Sequence, residues 1–277
     1  MNEFESVTEC FDSTLVANTM VVNLKQNALN ILTTKSESGY YDLLESVDVS
    51  PDVLGYVQIN DSESYDHRAI EELVEFIAQD THWCAHSGRQ YGYVYELITK
   101  RFRHSMGRML LALMEFGKPT IAGMQGHITG EYLGITLAFD ARIAAADTIF
   151  SFDNMRTGIP GAPGLTCLLP RYIGIGKAMS LIHGGATIDA QEAHSLGLVS
   201  EVVDNREQLT DRCINGIRNL TAQNHYLVRL HRQNILPSMD EVKAALERYY
   251  VGMSTAVLEL RKKRDSEPMS GTDQGNG

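Results

Sequence analysis

Between Lys118 and Val203 the chain alternates short apolar runs with glycines, an order that few architectures accommodate. Lys118-Pro119-Thr120-Ile121-Ala122-Gly123-Met124 is mostly apolar, is punctuated by Pro and Gly, and reads as a buried strand. Gly126 to Gly130 reads as a turn, and Tyr132 to Phe139 as the helix that follows it. A strand, a glycine-bearing turn and a helix start aim backbone N–H groups and the positive helix end at one point. That geometry suits an oxyanion.

The rest of the chain repeats the alternation. Thr19 to Leu24 forms a first strand, Asn27 to Asn30 a turn, and Thr34 to Ser46 a helix. Pro51-Asp52 breaks the chain before a second buried strand, Val53 to Ile59. With Thr120–Met124 and Ala141–Ala145 added, the order predicts an α/β protein with parallel crossovers. Ala69 to Gln79 and Tyr91 to Met114 carry apolar residues at helical spacing. Gln208 to Tyr250 is mostly helical and broken at Pro237, and the polar tail from Arg264 is expected to be disordered.

Composition excludes several classes. A net charge of −11 in 277 residues argues against nucleic acid as the main partner, because phosphate neutralisation needs a basic face. No apolar run approaches the roughly 20 residues of a membrane span, and the acidic N-terminus lacks the pattern of a signal peptide. Cys10, Cys84, Cys167 and Cys213 are scattered, which suits reduced thiols in a cytoplasmic protein. His82-x-Cys84-x-His86 would suit a metal on a helix, but Trp83, Ser87 and Gly88 favour a loop and no third ligand is in view, so no metal is expected.

The pieces Lys118-Pro119 with Gly126 and Gly130, Asp140 to Ala145, Gly158 to Gly164, and Ala193 with Gly197-Leu198-Val199 fall in a fixed order. In that order the chain resembles the enoyl-CoA hydratase/isomerase (crotonase) superfamily. The resemblance is clear over Lys118–Val203 and looser from Met20 to Asn60. It implies a crotonase-like spiral of ββα units over residues 1–203, a C-terminal helical region over 204–263, and a tail over 264–277. It further implies a homotrimer or dimer of trimers in which the C-terminal helices close a neighbour's pocket. The implied substrate is an acyl-CoA, with coenzyme A as part of the substrate and no separate cofactor.

The family holds a thioester carbonyl between two backbone N–H groups, each such donor being worth on the order of 3 kcal/mol. The resemblance places one donor at Glu131 and the other in the Ser64–Ala69 loop, with Ala69, His67 or Arg68 as candidates. Hydratases of the family use two glutamates. Here Gly134 stands at the first position, and Asp153 or Asn154 at the second. Glu131 itself stands where glycine is usual. Its carboxylate is either a solvated turn residue or, if buried, a proton carrier with a raised pKa. Asp153 and Asn154 are either turn residues or catalytic groups. His127 and His67 are possible pocket residues, His127 being more often a packed side chain in such a place. Asp140 and Arg142 read as a structural pair at a helix end. His104 with Arg101 and Arg103 reads as a solvated basic face, or else as a contact for CoA phosphates.

Two classes of function follow. One is an enzyme that stabilises an enolate in an oxyanion hole, of isomerase or lyase type, with a thioester or C–C bond hydrolase as rival. The other is a binding protein that keeps the fold without the chemistry.

Overall fold

The computed structural model describes residues 4–26, 28, 39–65, 68, 96, 107–158, 160–161, 163–222 and 224–266. Most of the turn expected over 27–30, the helix over 69–79, most of the helix over 91–114 and the His82/Cys84/His86 motif lie outside the described residues. The N-terminal strands β1 (Ser6–Val7), β2 (Phe11–Val16) and β3 (Thr19–Leu24) form an antiparallel meander, with Phe11 opposite Leu24. From β3 the sheet continues in parallel through β4 (Gly55–Asn60), β5 (Thr120–Met124), β7 (Ala141–Ala145) and β10 (Glu201–Val203). The order across this seven-stranded sheet is β1-β2-β3-β4-β5-β7-β10. A smaller sheet joins β6 (His127–Thr129), β8 (Ile149–Ser151) and β9 (Thr187–Asp189).

Strand alternation sorts the core onto two faces. Val57, Ile59, Ile121 and Ile143 point to one face, where Leu209, Cys213 and Ile217 of a covering helix meet them. Met20, Val22, Tyr56, Ala122 and Met124 point to the other, beneath α1 (Tyr40–Val49), α2 (Arg108–Glu115) and α3 (Gly130–Thr136). On that second face a buried polar chain crosses the apolar core. The Tyr40 hydroxyl donates to Gln58 Oε1 at 2.5 Å, the Tyr56 hydroxyl does so at 3.0 Å, and Gln58 Nε2 donates to the Tyr132 oxygen at 3.0 Å. Burial raises the phenol pKa of all three tyrosines, so the chain is made of neutral donors and acceptors.

After β8 come α4 (Asn154–Thr157), α5 (Pro163–Ile173), α6 (Ile175–Gly184) and α7 (Ala190–Ser195). Three helices then close the described chain: α8 (Arg206–Thr221), α9 (His225–Ile235) and α10 (Met239–Ser266). The Asn205 side chain caps α8 by accepting from the Gln208 amide, and Asn224 caps α9 by accepting from Tyr226, so the helical region breaks after Thr221 as well as at Pro237. The α/β class and the parallel crossovers read from the sequence are present. The turn expected over Gly126–Gly130 is in part a strand, β6, paired in parallel with β8 through His127–Ile149. Asp140 and Arg142 are both structural, but with separate partners. Asp140 accepts from the Thr120 amide at 2.7 Å, while Arg142 donates to the carbonyls of Leu198, Thr136 and Phe139.

Candidate active site

The candidate site lies past the C-terminal ends of β4 and β5, the end at which parallel sheets usually hold ligands. Asn60 and Gln125 latch these two ends together. Asn60 Nδ2 donates to the Gln125 carbonyl at 3.0 Å, and Gln125 Nε2 returns a bond to the Asn60 carbonyl at 2.8 Å. Gly126 then turns the chain with φ +66°, and a Cβ there would stand 2.7 Å from Ser62 Cβ. Only glycine meets both demands. The short β6 follows and delivers the chain into α3, every residue of which is buried.

Glu131 occupies the first turn of α3 and is 4% exposed. It is the one buried carboxylate among the described residues, and no cation pairs with it there. Asn154 Nδ2 donates to its Oε1 at 2.5 Å. Burial pushes the carboxyl up to about 6; its own backbone N–H, which donates to it, and the Asn154 amide hold it down, while the nearby charge of Asp153 pushes it further up. Such a group changes charge near neutrality, as a proton carrier must. The solvated reading of Glu131 therefore gives way to the buried one. Asp153 turns to the surface side, where it pairs with Arg156 Nη2 at 2.9 Å. Of the two candidates at the second glutamate position, Asn154 touches Glu131 and Asp153 acts on it through charge.

At Gly134, where the resemblance places the first glutamate, the structure leaves no room for a side chain. A Cβ on Gly134 would lie 2.4 Å from the Leu165 backbone nitrogen, and one on Gly164 would lie 1.9 Å from the Gly134 carbonyl oxygen. Helices α3 and α5 thus touch backbone to backbone, and no side chain fits at either position. Leu165, fully buried, presses its side chain toward Gly130 and Gly161 as well.

His127 Nε2 lies 3.0 Å from Ser151 Oγ, on the face of the small sheet that also carries Thr129. His127 is half-buried and packed against its neighbour strand. Ala69 and His67 lie outside the described residues. Sequence reading missed Leu165 and Tyr249. Tyr249, on α10, is 6% exposed, and burial, followed by the neighbouring charge of Glu131, lifts its phenol well above the usual range. A long helix far along the chain gives no local sign that one of its tyrosines returns to this carboxylate. The glycine pairs Gly130/Gly134 and Gly161/Gly164 do signal that something packs closely there. No group of side chains among the described residues could hold a metal ion.

Comparison with known proteins agrees with this architecture. The family model described as Enoyl-CoA hydratase/isomerase matches residues 88–266. The chain is 34% identical over 120 residues to enoyl-CoA hydratase ACTT3 of Alternaria alternata, covering 43% of this chain and 40% of that protein. It is 40% identical over 94 residues to the human mitochondrial enoyl-CoA hydratase domain-containing protein 2, covering 34% of this chain and 32% of that one. These alignments span two fifths or less of each relative's own length. Among solved structures, an enoyl-CoA hydratase from Bacillus halodurans superposes with a TM-score of 0.70 at 18% identity, over 93% of this chain and 99% of that one. A putative enoyl-CoA hydratase/isomerase from Acinetobacter baumannii gives 0.70 at 16% identity, over 94% of this chain and 99% of that one. With the strand–turn–helix arrangement and the glycine contacts above, these matches establish that the chain belongs to the enoyl-CoA hydratase/isomerase family.

Proposed function

We propose that the protein moves a proton on an acyl thioester, an acyl-CoA by family resemblance, and that Glu131 is the carrier. The observation behind this reading is the buried Glu131 carboxylate, beside which no cation stands among the described residues, with its pKa near 6. Ionised, it takes a proton from the carbon beside the thioester carbonyl. The electron pair moves onto the carbonyl oxygen, and the proton returns to a carbon further along the chain. The double bond migrates and no atom is gained or lost. The Glu131 backbone N–H now serves its own carboxylate. A thioester oxygen taking that N–H would receive an oxyanion donor and release the carboxylate for proton transfer.

Water addition fits this chain less well, although the relatives named above carry hydratase in their names. A hydratase site needs a second group to activate water. Gly134 has no room for one, and Asn154 offers an amide that cannot act as a base at neutral pH. A non-catalytic, acyl-binding role is the second reading, favoured by Leu165 filling the space against Gly130, Gly134 and Gly161.

The test is turnover of a 3-enoyl-CoA to its conjugated 2-isomer, with crotonyl-CoA hydration and thioester hydrolysis followed in parallel. Isomerisation is expected to rise as the pH climbs through about 6, and Glu131→Gln to lower kcat by about 10²–10⁴-fold. Equal turnover in the wild type and in Glu131→Gln removes Glu131 from the mechanism. Binding of acyl-CoA without any turnover supports the second reading.

A further inference from the structure

Helices α5 and α10 enclose a cleft of about 550 Å³, within the range of small-molecule sites. Its walls include small residues such as Thr166, Ala245 and Gly252, together with two arginines, Arg171 and Arg248. Arg171 pairs with Glu241 at 3.1 Å. Arg248 is exposed and makes no ion pair among the described residues. The cleft therefore carries an uncompensated positive charge on a chain whose net charge is −11. Half-exposed Cys167 lies on the same wall, within reach of the charges of both arginines and of Glu241. Tyr249 forms another wall and lies within reach of the Glu131 charge, so this one side chain links the cleft to the candidate proton carrier. The raised phenol pKa keeps the Tyr249 hydroxyl protonated, as a donor.

We propose that this cleft receives an acyl group whose far end is a carboxylate, with Arg248 as the residue that selects it. The proposal rests on the reading of Glu131 as the proton carrier. It places the anionic end at Arg248 and the reacting carbons toward Tyr249. A guanidinium–carboxylate bond brings both charge and direction, since its donors form a planar fork. The small side chains leave width for a chain, and the other two charges of the lining, Arg171 and Glu241, offset each other. Anionic oxygens are the chemistry the site recognises, and they have two possible sources, the acyl carboxylate or a phosphate of the thiol carrier.

Cys167 makes occupancy readable without turnover. Alkylation of Cys167 by iodoacetamide, followed by peptide mass analysis, is measured with glutarate, inorganic phosphate, free CoA, butyryl-CoA and glutaryl-CoA. Glutarate and glutaryl-CoA are expected to protect, glutaryl-CoA at about tenfold lower concentration than butyryl-CoA. Arg248→Met is expected to abolish that preference. Protection by phosphate and free CoA but not glutarate would assign the charge to the carrier and overturn the acyl carboxylate. Absence of protection by every anion, or protection unchanged in Arg248→Met, overturns the site altogether. Arg248-dependent protection by glutaryl-CoA in a protein that isomerises no acyl-CoA would uphold the cleft and defeat the Glu131 reading instead.

Discussion

Glu131 is buried in the first turn of α3, and its environment gives it a measurable signature apart from catalysis. Its carboxyl rises from 4.5 to about 6 on folding, which corresponds to on the order of 2 kcal/mol. Because the folded pKa is the higher one, the native state binds more protons than the unfolded chain between these values. The contribution of Glu131 to stability is therefore fullest below about 4.5 and is lost as the pH rises through 6. Urea unfolding of the wild type and of Glu131→Gln, compared at both ends of this window, is expected to show the wild type losing about 2 kcal/mol relative to the variant. A constant difference between the two proteins would mean that Glu131 ionises as freely folded as unfolded. The sequence showed this carboxylate but not its burial. Asn154, which touches the carboxylate, and Tyr249 of α10, which lies within reach of its charge, are distant along the chain.

At the level of elements, the contact of α3 with α5 defines the site. Two glycines, Gly134 and Gly164, let the helix backbones touch, which is why neither position can hold a side chain. Gly134→Ala is expected to cost about 1–3 kcal/mol in chemical denaturation, despite alanine's better helix propensity. A neutral or stabilising result would mean that the helices separate without penalty. In the sequence Gly134 read only as the absence of a carboxylate, whereas in the structure it and Gly164 bring two helices together. Strand β6 was hidden for a related reason. Gly126 and Gly130 flank only three strand residues, so composition spoke for a turn while pairing with β8 made a strand. The longer parallel strands were plain, since runs such as Thr120–Met124 are buried on both faces and read as continuous apolar segments.

Across the whole molecule, Arg232 joins parts that sequence order keeps apart. From α9 it donates to the carbonyls of Leu113, Phe116, Lys118 and Ala138, and it lies 3.5 Å from Asp140. It thereby ties α2, the entry to β5 and the exit of α3 to one guanidinium. Arg232→Met leaves these carbonyls and Asp140 without their partner in a buried setting, and a loss of about 3–5 kcal/mol is expected in urea unfolding. A loss under about 1 kcal/mol would show that water replaces the guanidinium freely. Nothing near Arg232 in the sequence announces this role, because each of its partners belongs to another element.

The large sheet also has a consequence for synthesis of the chain. Its strands lie side by side in the order in which they are translated, β1 at one edge and β10 at the other. Each new strand emerging from the ribosome can therefore join the free edge of those already paired, and none of the described strands has to be threaded between two neighbours. Long-range parallel pairing is slow when all strands must find one another at once. Growth from a single edge divides that search into successive local steps, at the pace at which the ribosome supplies residues.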